Sequence, residues 1–220
     1  MQEQLREKVK IAALPLQHIH RVAGVDASYR GGRPGESPQV RAGIVELVFP
    51  GLSIQARAVS ESPVSFPYIP GLLSFRETPT ILAALERLVS IPEREPRGLP
   101  DVLMVDGHGL AHPRWFGIAS HIGVLLDLPA IGCAKSVLVG EVGELGEEPG
   151  SIADLVLDGE VIGAAVRTRK NVKPVYISVG HKIDLDSAIS LVLACCQGHR
   201  LPEPVRQAHL LAKSSVKVGE

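Results

Sequence analysis

The chain has 220 residues, 45% of them hydrophobic and 21% charged, with a formal net charge of -1. That length suits one domain, residues 1–220, with a sizeable core. The near-balanced charge excludes a histone-like, non-specific nucleic-acid coat and leaves room for a local basic groove.

The amino-terminal stretch is charged and has no apolar signal core, and no run of about 18 apolar residues follows, so no membrane span is expected. Cys133, Cys195 and Cys196 are odd in number and lack metal spacing, which reads as buried, reduced thiols and a cytoplasmic compartment. An amphipathic helix is expected over 2–12, closed off by Pro15. Residues 22–29 read as a strand carrying an acid, Asp26. Residues 40–49 and 53–60 are two further β-branched runs, with Pro50-Gly51 between them as a turn signal. Three strands with short connections predict an antiparallel meander.

Pro63, Pro67 and Pro70 stiffen the next loop, which carries an aromatic, Tyr68. Leu82, Leu85 and Val89 recur at helical spacing, predicting a helix over 78–90 with Thr78 as cap and Pro79 in its first turn. A short helical turn over 72–76 can precede it. Glu77 is then an acid near a helix start, where a carboxylate is often only electrostatic decoration. Val102 to Val105 read as a fully buried strand ending in Asp106. Gly107 and Gly109 follow, where backbone turns sharply or approaches a ligand closely. In an open α/β sheet, ligands sit outside the carboxyl ends of strands; a helix-capping aspartate is the bland alternative.

A helix is expected over 114–127, then a short strand, 129–133, leading to Lys135. Residues 141–150 read as an acidic, glycine-rich loop. Asp158-Gly159 is a strong hairpin signal between two strands. Arg167, Arg169, Lys170 and Lys173 form a dense basic cluster, either a DNA-facing ridge or a solvated hairpin end. A strand over 175–179 runs on to His181, Asp184 caps a helix over 185–198, and the polar, proline-containing tail is expected to fray after about 213.

A meander followed by parallel strands alternating with helices describes a ribonuclease H-like fold, an α/β class with a mixed central sheet flanked by helices. In it the first and fourth strands are neighbours, which brings Asp26 and Asp106 together. Two close carboxylates are costly unless a cation neutralises them. Oxygen ligands suit Mg²⁺ or Mn²⁺.

Five stretches carry a specific resemblance: VAGVDASY (22–29), FPYIPGLLSFRE (66–77), VDGHGLAHPR (105–114), GCAKS (132–136) and GHKIDLDSA (180–188). In these, and in their order and spacing, the sequence resembles the endonuclease V family of deoxyinosine-directed repair nucleases. The resemblance implies the ribonuclease H-like fold, Mg²⁺ dependence with Mn²⁺ as a substitute, and deoxyinosine-containing DNA as partner. It also implies cleavage at the second phosphodiester bond 3′ to the lesion, leaving 3′-OH and 5′-phosphate.

Residue by residue, the resemblance makes Asp26, Glu77 and Asp106 metal-binding acids. It matches Lys135 to a lysine near the scissile phosphate and His181 to an active-site histidine. Tyr68 matches a wedge tyrosine. Pro70, Gly71, Leu73 and Gly107 match the surroundings of a base pocket. His112, Arg114 and His121 also fall on family positions, with structural hydrogen bonding as their other reading. His108 and His18 stay unassigned.

Two alternatives stand beside this: a nuclease acting mainly on inosine-containing RNA, and a catalytically silent nucleic-acid-binding module. Nothing in the sequence calls for a membrane or an obligate protein partner.

Overall fold

The computed structural model describes residues 2–31, 38–67, 69–95 and 98–215. A five-residue helix, α1 (Gln2–Arg6), opens the chain. It is shorter than the 2–12 expected, because the chain runs on without regular helix to a 3₁₀ turn at Leu16–His18. The strands β1 (Arg21–Arg30), β2 (Gln39–Val48) and β3 (Ile54–Pro63) form the expected antiparallel meander.

Helix α2 (Leu73–Val89) follows. It starts before the expected residue 78, absorbing the short turn into one continuous helix with Pro79 inside it. Phe75 explains why that first turn is held: its ring packs between Phe66 and His121, at 6.1 and 4.9 Å. Strand β4 (Val102–Val105) lies parallel to β1, and β5 (Ala130–Ala134) lies parallel to β4, with α3 (Ile118–Leu126) between them in sequence. α3 begins later than residue 114, after turns through His112 to Gly117.

Beyond β5 the sheet becomes antiparallel. Strands β6 (Glu141–Val142), β7 (Ile152–Leu157), β8 (Glu160–Val166) and β9 (Val175–His181) complete the order β3-β2-β1-β4-β5-β9-β8-β7-β6. The β7–β8 turn is the Asp158-Gly159 hairpin, both residues at positive φ (52° and 84°), as a two-residue primed turn requires. Helix α4 (Leu185–Ala194) is capped by Asp184, whose side chain accepts from the Ser187 amide at 2.8 Å. The chain then folds once more, into α5 (Glu203–Lys213).

Alternation along the strands sorts side chains between two faces. Val22, Val102 and Met104 join α4 and α5 in one core layer. Ala23, Val25, Leu103 and Val105 join α2 and α3 in the other. Helix α5 lies very close on β1 and β2: a Cβ on Gly24 would stand 1.9 Å from the Pro204 carbonyl oxygen, and one on Gly43 would stand 2.8 Å from the Ala212 nitrogen. Only glycine admits a helix backbone at that distance. This seating brings the last helix over the acid on β1.

Candidate active site

The register pairs Val25 with Val105, and the Asp106 amide donates to the Val25 carbonyl at 2.8 Å. Asp26 and Asp106 therefore leave the two parallel strands side by side. Continuing the alternation, both point to the α5 face. Lys135, the next residue after β5, joins them from the neighbouring strand, and its ammonium group is paired with the Asp106 carboxylate.

His209 of α5 completes the group. Its Nδ1 is 2.7 Å from Asp26 Oδ2, 3.7 Å from Asp106 Oδ2 and 3.1 Å from Lys135 Nζ. One ring nitrogen can donate to Asp26 or accept from Lys135, but cannot do both at once. One ligand atom from each of Asp26, Asp106 and His209 lies within 4.8 Å of the others. Glu77, buried on the second turn of α2, lines the same cleft of about 520 Å³.

The electrostatics show how far these acids are from comfort. Burial, then the Asp106 charge, push the Asp26 carboxyl up to about 6, against the pull of His209 and Lys135. Burial pushes Glu77 up to about 7, with Asp26 and Asp106 adding to it; the Tyr29 hydroxyl donates to Glu77 and pulls the other way. Arg76 lies over the Tyr29 ring at 4.6 Å, beside this contact. Buried carboxylates that resist ionisation together are the donor set a hard divalent cation relieves. The residues present fit such an ion.

A second, narrower pocket of about 170 Å³ opens beside the cleft, with Leu73 common to both. Gly71 and Leu73 line one wall, and Gly107, His108 and His112 line the other. Gly71 is at φ +78°, a left-handed conformation that favours glycine. Its carbonyl accepts from Arg114 Nη1 at 3.3 Å and from the His112 ring. Burial lowers His108 to about 4 and also lowers His112, so both rings are neutral at pH 7.

The structure thus brings together Asp26, Glu77, Asp106 and Lys135 in the cleft, and Gly71, Leu73, Gly107 and His112 in the pocket. Pro70 lies exposed on the adjoining turn, and Arg114 braces the pocket from outside. His121 is not at the pocket surface: it is buried on α3, its ring 4.9 Å from Phe75 and 5.6 Å from Phe116. Tyr68 lies outside the described residues.

His181 needs a correction. Strand β9 runs antiparallel to β5, so His181 pairs with Ala130 at the start of β5, the end of the sheet opposite Asp106 and Lys135. There its Nδ1 accepts from the Lys10 amide and its Nε2 donates to Asp127, each at 3.2 Å. Those bonds fix a neutral tautomer, and burial lowers the ring's pKa.

The histidine beside the acids is His209, which the sequence reading missed. The signal was present: Glu203-Pro204 opens a helix well, and Val205, Ala208 and Leu211-Ala212 form a buried stripe at helical spacing. Two of the basic-cluster residues hold a loop. Arg167 donates to the Gly146 and Val172 carbonyls, both at 2.7 Å, and Lys170 pairs with Glu148.

Comparison with known proteins extends this geometry. The family model for endonuclease V matches residues 3–210. Endonuclease V of Gloeobacter violaceus is 55% identical over 192 residues, covering 87% of this chain and 74% of that protein. The crystal structure of endonuclease V from Streptomyces avermitilis superposes with a TM-score of 0.86 at 42% identity, covering 96% of this chain and 88% of the other. Ciona intestinalis endonuclease V, in complex with a 24mer DNA containing an inosine followed by a ribo-adenosine, superposes at 0.81 with 30% identity, covering 96% and 93%. The fold is ribonuclease H-like, its mixed sheet flanked by helices, and the chain belongs to the endonuclease V family of phosphodiester-hydrolysing nucleases.

Proposed function

We propose that this nuclease recognises deoxyinosine in DNA and hydrolyses the second phosphodiester bond 3′ to it, leaving 3′-OH and 5′-phosphate. The observation that carries the reading is the adjacency of two cavities. A cleft holding Asp26, Asp106, His209, Lys135 and Glu77 opens beside a narrower pocket, where Gly71, Gly107 and Gly117 expose backbone between the rings of His108 and His112 and aliphatic side chains such as Leu73 and Ile118. The first suits hydrolysis at a phosphate, and the second suits a single extruded base. Taking a base out of the stack and reading its edge is how enzymes examine bases in duplex DNA. The inosine-containing DNA held by the Ciona relative supports the substrate class.

Asp26 and Asp106 would hold Mg²⁺, or Mn²⁺ in its place, with Glu77 as a further acid and His209 within reach of both aspartates. When bound, the ion supplies Lewis acidity toward the attacking water and the leaving 3′ oxygen. His209 orients Asp26 through their hydrogen bond and takes up the proton of the attacking water. Lys135 turns its ammonium group from Asp106 to the phosphate and offsets the charge that grows there. Gly71, Leu73 and Gly107 read hypoxanthine through backbone groups. The pocket selects against guanine, whose 2-amino group hypoxanthine lacks. Tyr68 acts as the wedge that fills the gap left by the extruded base, with Pro70 two residues further along the sequence.

The ribo-adenosine after the inosine in the Ciona complex favours a second reading, incision of inosine-containing RNA. No helix among the described residues is long and apolar enough to cross a membrane, and we place the activity in the cytoplasm.

The test uses end-labelled DNA and RNA strands of one sequence, each with or without a single inosine, in Mg²⁺ or in chelator. The expected product is a single cut one nucleotide beyond the inosine's own 3′ phosphate, in Mg²⁺ only. Cutting at random positions, or equal cutting of the strand without inosine, would refute the reading. The RNA arm decides between the two substrates.

A further inference from the structure

The short helix α1 reaches across the molecule to the outside of the narrow pocket. Gln2 is 6% exposed. Its Nε2 donates to the Gly71 carbonyl at 2.9 Å and to the Phe116 carbonyl at 3.3 Å. Its Oε1 accepts from Arg114 Nη1 at 3.0 Å. The two carbonyls belong to different loops: Gly71 precedes α2, and Phe116 precedes α3. Those loops carry the two walls of the pocket. A single buried amide, with both donors and its acceptor engaged, therefore ties one wall to the other.

The rest of the amino-terminal segment is fastened along its length. Arg6 lies over the Trp115 ring at 5.0 Å. The Lys10 amide donates to His181 Nδ1 at 3.2 Å, and the Lys10 carbonyl accepts from the Lys182 amide at 2.7 Å. The Leu14 amide donates to Ser187 Oγ at 3.0 Å. The segment is a strap, pinned to β9 and α4 at one end and closed on the pocket at the other. His181, far from the acids, holds one of the pins.

We propose that Gln2 is a positioning residue for base selection, setting the width of the pocket by bridging Gly71 and Phe116. This rests on the reading of that pocket as the base site. Gly71 and Gly107 present backbone, so pocket width follows from how the two loops are held. Loosening by a few tenths of an ångström would admit a larger base edge before it disturbs the acid cluster. Discrimination should then fail before turnover does.

The experiment compares wild type, Gln2→Ala, Gln2→Glu and Arg6→Ala on strands that differ only in inosine or guanine. Gln2→Ala should lower the inosine-over-guanine ratio of kcat/KM by about tenfold, the scale on which a pocket senses one small group. KM for the inosine strand should rise while kcat stays near wild type. Gln2→Glu keeps the acceptor for Arg114 but faces two carbonyl oxygens with a carboxylate, so its loss should at least equal that of alanine.

Arg6→Ala leaves every atom of the pocket in place and removes only the contact on Trp115. A shift of about twofold to fivefold in the same direction is expected, and this exposed variant keeps the proposal testable if Gln2 variants fold poorly. An unchanged ratio in Gln2→Ala, or losses equal on both substrates and in proportion to a lowered melting temperature, would overturn the strap. A wild-type enzyme with no preference for inosine would overturn the base-site reading, and the strap with it. A selective wild type with equally selective variants would overturn the strap alone.

Discussion

Replacing Glu77 by glutamine should make the metal-free protein more stable, by a margin that grows as pH rises from about 4.5 to about 7 and holds above it. Glu77 is 7% exposed. Burial first, then Asp26 and Asp106, displace its carboxyl from 4.5 to about 7. The folded chain thus keeps a proton that the unfolded chain releases between those values. Stability falls as pH rises wherever the folded state holds more protons. The cost of ionising Glu77 begins near its unfolded pKa and is complete once pH passes about 7. At about 1.4 kcal/mol per pH unit this displacement amounts to about 3 kcal/mol.

Glutamine keeps the shape and an acceptor for the Tyr29 hydroxyl but cannot ionise. Glu77→Gln should therefore match wild type near pH 4 and exceed it by about 3 kcal/mol near pH 8. In melting temperature that is about 6–12 °C for a chain of this size. The assay is thermal or urea unfolding in chelator at both pH values, where the titrations of groups remote from Glu77 cancel in the difference. Adding Mg²⁺ or Mn²⁺ should then stabilise wild type more than the variant, because a ligand of the folded state adds stability by mass action. A difference that is the same at both pH values, or a variant less stable at both, would refute the argument.

Other expectations follow from the same geometry. His209→Ala should lower the incision rate by about a hundredfold or more, the usual scale for a lost acid–base group, with little change in melting temperature; single-turnover kinetics beside a melt checks this. His181→Ala should do the reverse, costing about 2 kcal/mol because it orphans the Lys10 amide in a partly buried site while kcat holds. Tyr68→Ala should weaken binding of inosine-containing duplex by about tenfold, as for a lost base–aromatic stack, and weaken single-strand binding less. Equal defects on both substrates in a binding titration would argue against a wedge.

The sequence reading reached Asp26 and Asp106 because the signals that place them are local. Each ends or follows a short apolar run, and a meander followed by helix-linked strands leaves little choice about which runs are neighbours. Lys135 followed by the same logic. His181 misled because it, too, stands at a strand end, and strand ends look alike in sequence. Which end of the sheet a residue occupies depends on strand direction, and β9 turns antiparallel after three parallel neighbours.

His209 was hidden differently. Its helix is amphipathic but begins among prolines and ends near the polar tail. It is held in place by backbone contacts at Gly24 and Gly43, far away in sequence. Glu77 was placed at a helix start because Thr78-Pro79 makes a good one. The aromatic packing of Phe75 extends the helix past that signal and buries the acid instead. Gln2 gave no local signal, since an amide that bridges carbonyls 69 and 114 residues away is visible only after folding.

The central claim is that the Asp26–Asp106–His209 cluster cuts while the neighbouring pocket selects, so the two functions should separate in one variant. Asp106→Asn removes a charge from the cluster and leaves both pocket walls in place. Incision of an inosine-containing strand in Mg²⁺ and equilibrium binding of the same strand should be measured together on this variant and on wild type. Incision is expected to disappear while binding, supplied by the pocket and by phosphate contacts elsewhere, falls only a few-fold. Wild-type incision by Asp106→Asn, or a loss of binding as large as the loss of cutting, would contradict the account.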